Sequence, residues 1–228
     1  MNLYSHRGEK SFFLENSLFS FFLSYFLGDD GIEGDIRKTK DDVLILFHDS
    51  TIKRLSDSFG YINQITFDEL SRIKFKDNYK IVKLEDLLYY LSDKQIKILL
   101  EIKEYGYEEQ IIETIKKYNC KNLILISFLE KSLLRIKKID STIKTGLLLF
   151  DYNKYILQNI DAYDYIIFNK NFFNERIYKD LESKCNIGLW GIKNYRSLKK
   201  FLDYKFSFII CDNTYKIKKE LKNNEIIR

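Results

Sequence analysis

Residues 96–127 read IKILLEIKEYGYEEQIIETIKKYNCKNLILIS and carry the clearest architectural signal in the chain. The stretch begins with an apolar run over Ile96–Ile102 and ends with a second over Leu123–Ser127. Between them, apolar residues recur at helical spacing: Tyr107, Ile111, Ile112, Ile115 and Tyr118. Continuous apolar runs are typical of parallel strands buried on both faces. The stretch therefore predicts a strand, a crossover helix and a second parallel strand.

The same alternation extends through the rest of the chain. Further strand-like runs lie at Leu3–Ser5, Gly31–Ile36, Val43–Phe47, Ile143–Phe150, Tyr165–Phe168, Ile187–Trp190 and Phe206–Cys211. Eight or nine strands with intervening helices in 228 residues fit a (β/α)8 TIM barrel better than a six-stranded open sheet. A doubly wound sheet is the alternative architecture.

A single domain over residues 1–228 is expected, because no Pro/Gly/Ser-rich linker and no internal repeat marks a boundary. One segment, residues 49–84, is polar, turn-rich and longer than an ordinary connection between strand and helix. On the C-terminal face of a barrel, such an insertion is predicted to cap the active site and to select the substrate.

Composition limits the class of protein. With 45% hydrophobic and 31% charged residues, the chain is outside the disordered class. Its three cysteines are widely spaced without a CxxC pair, which favours a reducing compartment over a disulfide framework or thiolate metal site. The N-terminus lacks a secretory pattern, and the apolar stretch 18–27 is too short to cross a membrane. These features predict a cytoplasmic protein without stable membrane insertion.

Charge is divided unevenly along the chain. Residues 1–114 hold 15 basic and 21 acidic side chains, a net charge of −6, whereas residues 115–228 hold 23 and 12, a net charge of +11. An acidic half suits a cation site, and a basic half attracts an anionic substrate or lipid; solvated helix faces are the alternative explanation. No basic stripe with interleaved aromatic residues is present, so nucleic acid is not an expected partner.

The chain contains two histidines, His6 and His48, and each directly follows a strand-like run. In a (β/α)8 barrel the C-terminal ends of the strands form the catalytic face. Both histidines are therefore expected at the active site, beside Arg7 and Asp49.

Three acidic residues lie within strand-like runs. Glu33 and Asp35 are two positions apart, so their side chains share one face of a strand, and Glu101 interrupts an apolar run. Buried carboxylates repel one another, and a divalent cation relieves that repulsion; an all-oxygen ligand set suits Mg²⁺ or Ca²⁺. The alternative is that the three acids pair with Arg7, Arg37 and Lys103.

Taken in order, several short motifs resemble those of the glycerophosphodiester phosphodiesterase family. They are His6-Arg7-Gly8, Glu15-Asn16-Ser17, Glu33-Gly34-Asp35-Ile36-Arg37-Lys38-Thr39-Lys40-Asp41, Phe47-His48-Asp49 with Arg54, Thr66-Phe67-Asp68-Glu69-Leu70, Leu84-Glu85-Asp86-Leu87-Leu88 and Leu100-Glu101-Ile102-Lys103. The resemblance is specific over residues 4–103 and weaker beyond, through Ser127-Phe128, Trp190, Asn194 and Asp212.

The resemblance implies a TIM barrel that uses a divalent cation to hydrolyse glycerophosphodiesters to an alcohol and glycerol 3-phosphate. By position, Glu33, Asp35 and Glu101 match the metal-binding acids, and His6 and His48 match the acid–base pair. Arg7 and Lys103 match positions near the phosphate. Trp190 matches a residue that lines the glycerol or alcohol side of the pocket, with core packing as its alternative role. Departures from the family pattern after Trp190, and after the last strand, concern substrate choice.

The implied chemistry agrees with these residue types. Phosphodiester hydrolysis needs charge neutralisation, a deprotonated nucleophile and a proton for the leaving alkoxide. His6 is expected to act as the general base and His48 as the general acid. The nucleophile, water or the substrate's own glycerol 2-hydroxyl, is left open, as are the head-group alcohol, the metal and the oligomeric state.

Two other functions are considered. A related phospholipase-type phosphodiesterase acting on membrane lipids would need an apolar rim facing the membrane. The aromatic residues at 19, 21, 22, 25 and 26 have helical spacing, which predicts core packing instead. A non-catalytic barrel acting as a binding module is disfavoured, because every expected catalytic position is occupied.

Overall fold

The computed structural model describes residues 1–150 and 160–225. Its strands are β1 (Leu3–His6), β2 (Gly31–Lys38), β3 (Leu44–Leu46), β4 (Val82–Lys83), β5 (Lys97–Ile102), β6 (Leu123–Ser127), β7 (Lys144–Leu149), β8 (Tyr165–Asn169), β9 (Asn186–Ile192) and β10 (Phe208–Cys211). Its α-helices are α1 (Leu18–Phe26), α2 (Phe67–Arg72), α3 (Leu84–Leu91), α4 (Glu108–Lys117), α5 (Glu130–Ile139), α6 (Glu175–Leu181), α7 (Tyr195–Leu198) and α8 (Thr214–Glu225).

Eight of the strands form a closed parallel barrel. Its order is β1, β2, β5, β6, β7, β8, β9 and β10, and β10 pairs with β1 to close the ring. This confirms the predicted (β/α)8 TIM barrel and rules out the doubly wound sheet, which is open.

The alternation of side chains along β5 shows how the barrel is filled. Leu99 points inward, where it packs with Tyr4, Ile126 and Phe208. Residues 98 and 100 point outward into the core between barrel and helices. Because successive side chains on a strand alternate between faces, Glu101 lies on the same inner face as Leu99.

Strand β3 differs from the prediction. The run Val43–Phe47 forms a strand over Leu44–Leu46, but this strand pairs antiparallel with β2 and with β4 and does not belong to the barrel. Strand β2 extends to Lys38, and the chain then turns back along it. The expectation that His48 follows a parallel barrel strand is therefore wrong, and its place at the mouth of the barrel has another cause. The returning chain brings Phe47 level with Asp35, whose carbonyl accepts a hydrogen bond from the Phe47 N–H at 2.9 Å.

The insertion at 49–84 is folded around a core of its own. It contains α2, β4 and two short 3₁₀ turns, Ile62–Gln64 and Lys76–Asn78. Its buried residues pack with those of β3, and the cluster includes Phe47, Ile52, Leu70 and Phe75. The segment thus has a small core of its own within the domain, and it is attached to the barrel through the β2–β3 hairpin.

Helix α1 buries small residues and leaves aromatic ones outside. Ser20, Phe21 and Ser24 are buried against the barrel. Gly8 allows this close approach, because a Cβ atom at that position would lie 2.4 Å from the Ser20 Oγ. The predicted core packing of the aromatic run is therefore wrong in part, since Phe19 and Phe26 are 68% and 78% exposed.

Within the two described ranges, no helix has the length and apolar character needed to cross a bilayer.

Candidate active site

Three carboxylates meet inside the mouth of the barrel. Glu33 and Asp35 lie on β2, and Glu101 lies on β5 directly opposite Asp35 in the strand register. All three are buried, and one oxygen from each lies within 4.8 Å of the others. The strand pairing thus gathers the three acids that the sequence predicted as metal ligands.

Two cations and an amide surround these carboxylates. The Arg7 Nε lies 3.1 Å from the Asp35 Oδ2, and the Lys103 Nζ lies 2.7 Å from Glu101 Oε1 and 3.3 Å from Asp35 Oδ1. The Asn16 side-chain amide donates a hydrogen bond to Asp35 Oδ2 at 2.9 Å. The ion pairs that the sequence offered as the alternative to a metal site are therefore present for Arg7 and Lys103.

Arg37, the third cation of that alternative, is directed elsewhere. Its guanidinium pairs with Glu104 and donates from Nε to the backbone carbonyl of His48 at 2.8 Å. Arg37 therefore does not neutralise the three carboxylates, and it secures the chain at His48 instead.

The turn after β1 holds Arg7 in a strained conformation. Arg7 has φ of 60° and Gly8 has φ of 78°, both in the left-handed region that a side chain disfavours. This turn aims the Arg7 N–H at Glu33 Oε2, at 3.0 Å, and lets the guanidinium reach Glu15 at 2.9 Å. Arg7, the residue in the strained conformation, contacts two of the site carboxylates, Glu33 and Asp35.

Burial and mutual repulsion set the protonation of the three acids. Burial, together with the charges of Asp35 and Glu101, raises the pKa of Glu33 well above its ordinary value. Burial and Asp35 raise the pKa of Glu101 to about 7. Burial also acts to raise the pKa of Asp35, but the charges of Arg7 and Lys103 outweigh it and lower that pKa. Glu33 and Glu101 therefore bind a proton more readily than an exposed glutamate does.

The donor set fits a divalent cation. Asp35 Oδ1 is buried and accepts no hydrogen bond from the residues that the structure describes. Glu33 and Glu101 supply further oxygens within 4.8 Å. A set of buried carboxylate oxygens, one of them without a hydrogen bond from the described residues, suits a hard ion such as Mg²⁺ or Ca²⁺.

His6 is oriented by a carboxylate from the far end of the chain. Its Nδ1 lies 2.7 Å from Asp212 Oδ1, and Lys10 Nζ lies 2.9 Å from the same oxygen. Its Nε2 lies 3.9 Å from Glu33 Oε2. With Nδ1–H donated to Asp212, Nε2 is free to accept a proton on the side of the carboxylates. Burial lowers the pKa of His6, which favours this neutral form.

His48 has a corresponding partner in Asp49. Its Nδ1 lies 2.8 Å from Asp49 Oδ1, and Arg54 Nε holds the other oxygen of Asp49 at 2.5 Å. Arg54 also contacts Glu15, the partner of Arg7, so the two halves of the site are linked. Burial lowers the pKa of His48, while the charge of Asp35 opposes that shift.

A cavity of about 370 Å³ joins these groups. One side is charged and is lined by His6, Arg7, Glu33, His48, Glu101 and Lys103. The other side is apolar and is lined by Ile126, Phe128, Leu129, Leu148, Phe150, Trp190 and Ile210. The structure therefore brings seven of the eight predicted site residues to the cavity wall, and the eighth, Asp35, lies just behind it.

Trp190 is part of an aromatic cluster on the apolar side. Its indole Nε1 donates to the carbonyl of Leu149 at 3.3 Å, and its ring meets Phe128 and Phe150 edge to face. Phe128 and Phe150 stack with their ring centres 4.2 Å apart. Trp190 thus packs against its neighbours and also lines the cavity.

Sequence reasoning left three contributors out of the site. Asp212, Asn16 and Phe128 belong to the quoted motifs, but no role was assigned to them. Asp212 directly follows the last apolar run, and this is the signal that also identified His6. Among the described residues of the predicted cap, 49–84, none lines the cavity.

Residues 6–216 match the family model described as "Glycerophosphoryl diester phosphodiesterase family". The chain belongs to this family.

Among individual members of the family, a glycerophosphodiester phosphodiesterase from Caldanaerobacter subterraneus subsp. tengcongensis is 34% identical over 157 residues. That match covers 63% of this chain and 65% of the relative, so it spans slightly less than two thirds of the relative's length.

Two solved structures share the fold. The glycerophosphodiester phosphodiesterase from Thermotoga maritima is 25% identical, with a TM-score of 0.81 over 97% of each chain. An Oleispira antarctica phosphodiesterase, solved with the product sn-glycerol-3-phosphate, is 19% identical, with a TM-score of 0.86 over 97% of each chain.

Proposed function

We propose that this protein is a glycerophosphodiester phosphodiesterase that hydrolyses its substrate to an alcohol and glycerol 3-phosphate. The observation that carries the proposal is the convergence of three buried carboxylates and two carboxylate-paired histidines, His6 and His48, on one cavity. Family membership over residues 6–216 supports the same activity.

Glu33, Asp35 and Glu101 would hold a divalent cation, Mg²⁺ or Ca²⁺. When bound, the cation would neutralise charge on the phosphoryl oxygens and act as a Lewis acid. Arg7 and Lys103 line the same side of the cavity, and their positive charges suit the remaining anionic oxygen of the diester.

His6 would accept a proton through Nε2, because Asp212 holds the other ring nitrogen as a donor. The proton comes from the nucleophile, which is water or the glycerol 2-hydroxyl of the substrate. His48, held by Asp49, would give a proton to the leaving alkoxide. Each histidine has a carboxylate at Nδ1 and a pKa that burial lowers, so this division of roles follows the expectation from the sequence and is tested with leaving groups of different basicity.

The apolar wall formed by Phe128, Phe150 and Trp190 would receive an organic group of the substrate, since it faces the charged wall across the cavity.

We further propose that residues 1–228 form a single domain in which residues 49–84 pack beside the site. The three cysteines are free thiols, which supports a cytoplasmic location.

The test is release of glycerol 3-phosphate from a panel of glycerophosphodiesters, measured with and without EDTA. We expect activity that EDTA abolishes and that Mg²⁺ or Ca²⁺ restores. A substrate analogue without the 2-hydroxyl separates the two nucleophiles, since only water can attack it. Full activity in EDTA, or no release from any substrate in the panel with either ion present, would contradict the proposal.

A further inference from the structure

Exposed apolar side chains gather at the mouth of the barrel. Going around the barrel from β6 through β7, β8, β9 and β10 to β1, five of the six successive C-terminal loops carry one or more of them. These residues, here called the apolar arc, are Leu129, Phe150, Phe172, Tyr215, Phe12 and Phe13. Two contacts tie the β1 loop to its surroundings: Phe12 meets Tyr215 edge to face at 6.0 Å, and Phe13 stacks on the exposed Phe19 at 5.4 Å. Large side chains exposed together in this way mark an interaction surface.

The apolar arc is continuous with the apolar wall of the cavity. Phe150 is 58% exposed, yet it also lines the cavity and stacks on Phe128. Leu129 likewise belongs both to the arc and to the cavity lining. Phe150 and Leu129 thus connect the outer surface to the apolar wall of the cavity.

Lysines are interspersed with the arc. Lys131, Lys193 and Lys216 are exposed on the β6, β9 and β10 sides, and Lys170 lies two residues before Phe172. The C-terminal half, which supplies most of this rim, has a net charge of +11. Aromatic residues with interspersed lysines suit a surface that is both apolar and anionic.

We propose that the apolar arc docks onto an anionic lipid bilayer, so that a glycerophosphodiester carrying an apolar chain enters the cavity from the membrane. The arc reaches the cavity through Leu129 and Phe150, so a protein seated on it would block the substrate, whereas a fluid lipid surface supplies it. The entry of a glycerophosphodiester into the cavity rests on the proposed function, whereas the docking of the apolar arc onto a bilayer does not.

The experiment is sedimentation of the purified full chain with vesicles of equal parts phosphatidylglycerol and phosphatidylcholine, beside vesicles of phosphatidylcholine alone. We expect binding to the anionic vesicles that weakens in about 0.5 M NaCl, because screening removes the lysine contribution. The double substitution Phe12→Ser with Phe13→Ser should weaken binding at least tenfold, since each phenylalanine loses its burial in lipid. The matched control is Phe26→Ser, because Phe26 is 78% exposed at the C-terminal end of α1, away from the mouth; its binding should equal that of the unaltered protein.

Two further measurements complete the test. The double variant should keep kcat/KM on a short-chain, water-soluble glycerophosphodiester, so that loss of docking is separated from loss of catalysis. Light scattering should show the same mass for the unaltered protein and the double variant. Docking is overturned if the unaltered protein does not sediment with anionic vesicles, or if Phe26→Ser loses as much binding as the double variant. It is also overturned if the arc residues instead hold two copies together in solution. Vesicle binding by a protein inactive on every diester would leave the docking standing and remove the proposed function.

Discussion

The Nδ1 atom of His6 lies 2.7 Å from Oδ1 of Asp212, although 206 positions separate the two residues in the chain. Barrel closure makes the contact possible. Strands β1 and β10 are parallel neighbours with Ser5 opposite Cys211. The residues that follow these two, His6 and Asp212, therefore lie at the same level of the mouth. Asp212, which follows the last barrel strand, thereby orients His6 at the end of the first.

We predict that Asp212→Asn lowers kcat by up to about 100-fold, at the lower end of what acid–base catalysis contributes. An amide can present either an oxygen or an NH₂ group to Nδ1, so it no longer fixes the proton there. KM should change little, because Asp212 does not line the cavity. Steady-state kinetics on one diester measure both constants. Asp203→Asn, an exposed aspartate, is the control. An unchanged kcat in Asp212→Asn would remove the positioning role.

The division of roles between the histidines predicts different responses to the leaving group. His48→Ala should slow a substrate with an alkoxide leaving group by roughly 10²–10⁴-fold and spare one with a nitrophenolate, which needs little protonation. His6→Ala should slow both substrates alike, since the nucleophile must be activated whichever group leaves. The rates of both variants on both substrates decide this. Equal losses for His48→Ala on the two substrates would move the acid role away from His48.

The three carboxylates should respond differently to neutralisation in metal-free protein. Glu33→Gln should change the free energy of unfolding by less than about 1 kcal/mol, because burial and its acidic neighbours already raise the pKa of Glu33. Asp35→Asn should cost about 3 kcal/mol, since it leaves the partly buried cations Arg7 and Lys103 without their shared partner.

Urea unfolding in EDTA measures these two costs. Repeating it with Ca²⁺ or Mg²⁺ should stabilise the unaltered protein but neither variant, because the cation binds only the intact carboxylate set. Equal destabilisation of the two variants in EDTA would show that the ion pairs of Asp35 do not dominate the metal-free site.

The hydrogen bonds of Asp164 are expected to account for part of the stability that the fold loses at low pH. Asp164 accepts from Lys137 Nζ at 2.5 Å, Lys144 Nζ at 2.7 Å and the Thr145 N–H at 2.9 Å. Burial acts to raise the pKa of Asp164, but these hydrogen bonds outweigh it and lower that pKa. A carboxyl whose pKa is lower in the folded state stabilises the fold above its unfolded pKa of about 3.9. That stability is lost as the pH falls through the folded-state pKa.

Asp164→Asn should therefore lower the free energy of unfolding by about 1 kcal/mol at pH 7. The difference from the unaltered protein should shrink below the unfolded pKa of about 3.9. Urea titrations at several pH values measure this, with the exposed Asp180→Asn as the control. A difference that is constant with pH would show that the ionised form of Asp164 adds nothing.

Local sequence was sufficient to predict the repeating strand–helix unit and the acidic residues on β2. The apolar run that becomes β5 and the helical spacing of Ile111, Ile112 and Ile115 depend only on how side chains alternate along a strand or helix. Glu33 and Asp35 share a face for the same reason. Periodicity therefore predicted the barrel and two metal-ligand candidates without any long-range information.

Tertiary structure decided what depends on pairing between distant segments. His48 reaches the site on an antiparallel return along β2, a register that no local pattern specifies. Phe19 and Phe26 are exposed because the small residues Ser20 and Ser24 let α1 approach the barrel through its other face. Helical spacing alone does not state which face is buried. Asp212 reaches His6 only when the barrel closes, since strand order is a property of the whole chain.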